Sequence, residues 1–166
     1  MGDGHTAAAA DVRWLNVEEQ GVWRAFLTAN TLLMAHIDED AKRFDLNASE
    51  YAILVLLSEA EGQELRMAHL ADALCHSRSR VTHTVQRMEH KGLVVRIASG
   101  DDRRGVIARL TDAGQARLTE AAPDHVALVR RHLFDLVSPE DLAVFGRVLN
   151  AISDDLAEGH PESDLR

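Results

Sequence analysis

The stretch 77-SRSRVTHTVQRMEHKGL-93 gathers Arg78, Arg80, Arg87 and Lys91 against Glu89, in a 166-residue chain that carries 27 acidic and 18 basic residues overall. Ser77 can accept a hydrogen bond from the orphan N–H groups of a following helix. Val81, Val85 and Met88 recur at i, i+4 and i+7, so the segment predicts a helix over 78–90 with those residues inward. Lys91 suits the negative end of that helix and Gly92 its stop. Ser79, His83, Gln86 and His90 then fall on the opposite side, with Thr82 along one edge and Arg80 and Arg87 along the other.

Immediately before it, a short apolar helix is predicted at 67–75, and His76-Ser77 leaves room only for a tight turn. Two such helices form a helix-turn-helix. After it the period changes: 93-LVVRI-97 and 106-VIARL-110 predict two strands joined by the polar tip 98-ASGDDRRG-105, a hairpin. Upstream, 46-LNASEY-51 reads as a capping box, with Asn47 at the N-cap, Glu50 three residues on, and Leu46 with Tyr51 as a hydrophobic staple. The helix that follows should end near Glu61-Gly62.

The flanks are helical. Leu15, Val22, Phe26, Ala29, Leu33 and Ile37 predict a long amphipathic helix from about residue 12 to the early forties. Thr111 predicts the cap of a helix over 111–136 that Pro123 should kink or interrupt. Ser138-Pro139-Glu140-Asp141 starts another, along which Leu142, Phe145, Leu149, Ile152 and Leu156 form a packing seam. The expected fold is mainly α with a small β-hairpin wing: a winged helix-turn-helix at 46–110 between N- and C-terminal dimerisation helices at 11–45 and 111–157. One domain over 11–166 follows a disordered 1–10.

Net charge is −9, which excludes indiscriminate coating of nucleic acid. Residues 66–110 nevertheless hold nine basic residues against four acidic ones, a local +5 that leaves −14 for the remainder. A basic island in an acidic body favours docking on a polyanion in one orientation. The polar face of 78–90 offers hydroxyls, an imidazole, an amide and guanidiniums, partners for base edges and phosphates; the same composition also describes a solvated helix face. An arginine at the end of a narrow loop can enter a minor groove. No long apolar run and no export signal is visible, and one cysteine forms no internal disulfide, so a cytoplasmic protein without membrane contact is expected.

The helix-turn-helix, the D-x-R wing and the run into 110-LTDAG-114 resemble the MarR family of winged-helix transcriptional regulators, most specifically in 77-SRSRVTHTVQRMEHKGLVVR-96 and 101-DDRRGVIARLTDAG-114. The resemblance covers residues 12–157. It implies a homodimer on a pseudo-palindromic operator in double-stranded DNA, with the 78–90 helix in the major groove and the wing in the minor groove. It further implies a repressor released by a small aromatic or anionic effector. On that reading Ser79, Thr82, His83 and Gln86 supply base contacts, and Arg78, Arg80, Arg87 and Lys91 hold phosphates. Arg103 and Arg104 belong to the wing, where Asp102 holds Arg104. Trp14, Trp23, His36 and Tyr51 are candidates for an effector cavity, Trp23, His36 and Tyr51 foremost.

His83 stands where the family often has Arg or Lys, which implies a different base preference. Cys75 is expected as a small buried filler rather than a redox sensor. Nine histidines invite a metal, yet none pairs at chelating spacing on one helix face, so neither metal nor cofactor is expected. No phosphate-binding glycine loop or nucleophile elbow is present, and an enzyme is not expected. The alternatives are a winged-helix scaffold for protein partners, and a ligand-insensitive regulator or activator.

Overall fold

The computed structural model describes residues 12–98 and 105–158. The first helix, α1 (Val17–Lys42), starts later than its apolar stripe predicts. The reason is a second capping box: Asn16 Oδ1 accepts from Glu19 N at 2.8 Å, and Glu19 Oε2 accepts from Asn16 N at 2.8 Å. Within α1 the chain divides into two compact units, residues 1–35 and 36–166. The described part of the first is the non-helical stretch 12–16 and the start of α1, with exposed apolar side chains, among them Val22, Trp23, Phe26 and Leu27.

In the second unit α2 (Ala48–Glu59) begins with the predicted Asn47/Glu50 capping box. It buries Ile53, Leu54 and Leu57 completely, each contributing about 1.5–3 kcal/mol. Gly62 takes φ 65 in the turn after it, a conformation that costs glycine little. A strand absent from the sequence reading follows, β1 (Glu64–Arg66), then α3 (Met67–Ala73), α4 (Arg78–His90), and the hairpin β2 (Val94–Ala98) and β3 (Val106–Leu110). The sheet is antiparallel with order β1-β3-β2, and Glu64 lies opposite Arg109.

α4 ends as its sequence predicts. Leu93 N donates to Met88 O and Gly92 N to Glu89 O, each at 2.9 Å, with Gly92 at φ 72, a Schellman stop. α3 ends the same way with an unexpected residue in the left-handed position: Cys75 has φ 50, and His76 N donates to Ala71 O at 2.9 Å. Cys75 is therefore exposed, not the buried filler expected, because the stop turns its side chain to solvent.

α5 (Asp112–His132) is capped by Thr111, which accepts from Gly114 N at 3.0 Å. Pro123 does not interrupt it; one missing N–H leaves the neighbouring i to i−4 bonds in place. A short 3-10 turn, Phe134–Leu136, separates it from α6 (Pro139–Glu158), whose Asp141 N donates to Ser138 Oγ at 3.1 Å. α2, α3, α4, the sheet and the first half of α5 share one core around Leu54, Leu70, Val85, Met88 and Val94. No described helix is long and apolar enough to cross a membrane.

Candidate nucleic-acid interface

The core fixes which side of α4 faces out. Val81, Val85 and Met88 are buried as their spacing predicts, and Thr84 joins them, its hydroxyl donating to Arg80 O at 3.0 Å. Arg78, Ser79, Arg80, His83, Arg87 and His90 are exposed, while Thr82 and Gln86 are half-buried. Thr82 Oγ1 donates to Arg78 O at 2.8 Å. Ser77 Oγ accepts from Arg80 N at 3.3 Å and leaves the first turn of α4 at the surface with its positive dipole end.

Carboxylates match several cations of the basic island. Arg96 meets Glu89 through Nη2 at 2.7 Å and Nε at 2.8 Å, and its backbone N–H donates to the same carboxylate. These bonds hold the Glu89 carboxyl below its ordinary range. The one acid on α4 is thus matched by β2, and it does not discount the arginines of the exposed face. Arg109 is likewise matched across the sheet by Glu64, at 2.5 Å. Lys91 donates to Glu50 Oε2 at 3.1 Å and to Asp45 O at 2.6 Å. Arg87 Nε lies 3.6 Å from Glu50 Oε1, and its side chain remains 54% exposed. Arg80, His83 and Arg87 also border a cleft of about 450 Å³ whose other wall includes Asp38, Asn47 and Ser49 from the α1–α2 junction. That wall and the burial of Glu50 have no signature in the spacing of the sequence. Asp102, Arg103 and Arg104 lie outside the described residues.

Of the effector candidates in the second unit, His36 and Tyr51 lie in different surroundings. His36 borders an open cleft of about 640 Å³ between the end of α1 and α5, with Asp40, Arg43, Asp124, Arg131 and His132. His36 and His132 stack there, 5.4 Å between ring centroids and 5° between planes. Arg43 bridges Asp40 and Asp124, each at 2.8 Å. Tyr51 does not line this cleft; it is buried and packs on His125 at 4.4 Å. Trp23, 51% exposed, stacks on Phe26, and Trp14 is 83% exposed. Among the described residues no cluster of three or more His, Cys, Asp or Glu could hold a metal ion.

The sequence model of the MarR family matches residues 44–105. Among solved structures, AbsC, a MarR family transcriptional regulator from Streptomyces coelicolor, is 44% identical with a TM-score of 0.85, covering 87% of this chain and 98% of its own. Sco3205, a MarR family transcriptional regulator from the same organism solved in complex with DNA, is 38% identical with a TM-score of 0.88, covering 94% and 97%. The HTH-type transcriptional regulator MhqR of Bacillus subtilis is 28% identical over 117 residues, 70% of this chain and 79% of its own.

Proposed function

The chain belongs to the MarR family of winged helix-turn-helix transcriptional regulators, and from that premise we propose that it is a cytoplasmic, homodimeric, sequence-specific DNA-binding repressor, not an enzyme. The observation that carries the reading is the exposed face of α4. Six of its side chains are open to solvent, three of them arginines, on a chain whose net charge is −9. A solvated face would as readily be acidic on such a chain. Its hydroxyl, imidazole, amide and guanidinium groups match the donor and acceptor pattern of the major groove.

On this proposal Ser79, Thr82, His83 and Gln86 read bases, and Arg78, Arg80 and Arg87 hold phosphates, with Arg103 and Arg104 in the minor groove. The likeness to a 38% identical regulator solved with DNA supports the same mode of use. A small anionic or aromatic effector in the cleft beside His36 and His132 would act as the releasing signal. The test is binding to the DNA upstream of the protein's own gene, against scrambled DNA of equal length, across a salt series. The expected outcome is preference that survives near-physiological salt, with a slope reporting several neutralised phosphates. Equal binding to both DNAs, lost at modest salt, overturns the proposal.

A further inference from the structure

Glu50 closes the capping box of α2, a role that does not itself require burial, yet it is 1% exposed. Its carboxylate faces the C-terminal half of α4. Oε2 accepts from Lys91 Nζ at 3.1 Å and from Asn47 N at 3.2 Å, and Oε1 lies 3.6 Å from Arg87 Nε. Lys91 Nζ donates in addition to Asp45 O at 2.6 Å and lies 3.5 Å from the Asp45 carboxylate. A phosphate would have to draw Lys91 away from two carboxylates and a carbonyl. Arg87 differs: its other arm donates to Thr84 Oγ1 at 3.3 Å, and half its side chain stays in solvent. A buried carboxylate is tolerable only where charges and donors surround it, so the start of α2 and the end of α4 are fixed to one another through this group.

We infer that Glu50 is a positioning residue for DNA reading, which holds Lys91 in an ion pair within the protein instead of a phosphate contact and aims Arg87 at the duplex while offsetting part of its charge. The inference rests on α4 being the DNA-facing helix. It assigns Lys91 differently from the sequence, where four basic residues in one short segment look equivalent. The number of phosphates neutralised separates the two assignments, because log K falls with log salt by about 0.9 per phosphate on duplex DNA.

The experiment compares salt slopes of the full-length wild type, Arg80→Ala, Lys91→Gln and Glu50→Gln on upstream and scrambled DNA, with thermal melts alongside. A wild type that prefers the upstream DNA secures the DNA reading and isolates the inference; one without preference overturns both. Arg80→Ala should lower the slope by about one phosphate's worth, whereas Lys91→Gln should keep the wild-type slope. Glu50→Gln retains an oxygen for the Asn47 N–H but loses the charge that holds both cations. Its slope should steepen, and its preference for upstream over scrambled DNA should fall roughly tenfold. If Lys91→Gln lowers the slope as Arg80→Ala does, Lys91 holds a phosphate and the inference fails. It fails equally if Glu50→Gln lowers only the melting temperature and leaves slope and preference intact. Should Glu50→Gln not fold, the Lys91→Gln slope decides alone.

Discussion

His125 packs against the Tyr51 ring, and burial pushes its pKa below the ordinary histidine value of 6.5, with Asp40 pulling weakly the other way. His76 is lowered by burial and then by Arg80. In both cases the unfolded chain takes up its proton at a higher pH than the folded one, so stability falls as pH drops from 6.5 toward the folded values. The urea midpoint should therefore decrease from pH 7.5 to pH 5.5. His125→Phe keeps a ring against Tyr51 and should shrink that decrease; a full decrease in the variant would assign it to other groups. On α4, His83→Ala should cost about 1–3 kcal/mol of operator affinity and relax preference at one base position per half-site. A uniform loss across sequences would reassign His83 to phosphate. The exposed polar strip could be read from 78–90 because three apolar residues fix the rotation of that helix. Glu50 could not, since its burial depends on a lysine 41 residues away. Cys75 could not either, because the left-handed stop it occupies is usually taken by glycine.

Helices and hairpin were legible wherever caps and stops sat next to a periodic run, as at Asn47, Ser77, Gly92, Thr111 and Ser138. Two elements escaped for local reasons. The Asn16/Glu19 box lies inside a longer apolar repeat, which drew the predicted start of α1 forward to residue 12. The strand β1 is only 64-ELR-66, without β-branched residues, and it is a strand because β3 pairs with it. Element contacts also give Gly114 a purpose that its sequence position inside 110-LTDAG-114 does not reveal. A Cβ there would sit well inside contact distance of the Leu93 carbonyl oxygen and 2.7 Å from Leu110 Cδ1. The first turn of α5 can lie against the α4–β2 junction only because that methyl is absent. Backbone cannot yield as a long side chain does, so Gly114→Ala should destabilise the protein by about 2 kcal/mol or more, within the range for overpacked cores. A melting temperature of Gly114→Ala equal to that of the wild type would remove the close-approach account of Gly114.

At the scale of the whole molecule the question is what the apolar faces outside the core are for. α6 leaves Leu142, Phe145, Val148 and Ile152 between 37% and 49% exposed, and Leu156 68%. α1 exposes Val22, Trp23, Phe26 and Leu27 at 43% or more. Exposed apolar helix faces of this kind mark interaction faces, and a second copy of the chain is the partner the dimer proposal assigns to them. Sedimentation at micromolar concentration should then report twice the 18.3 kDa chain mass. Phe145→Glu combined with Ile152→Asp should shift the mass to that of one chain, because a carboxylate buried in an apolar interface has no donor to offset its desolvation. The consequence for DNA follows from linkage of two reading heads: once one head is seated, the other binds from a high effective concentration, and separating them should cost about 100-fold or more in operator affinity. Binding to scrambled DNA should fall far less, since each head keeps its own basic face. A variant that remains dimeric would place the interface away from α6, and a monomer that retains full operator affinity would separate DNA reading from dimerisation altogether.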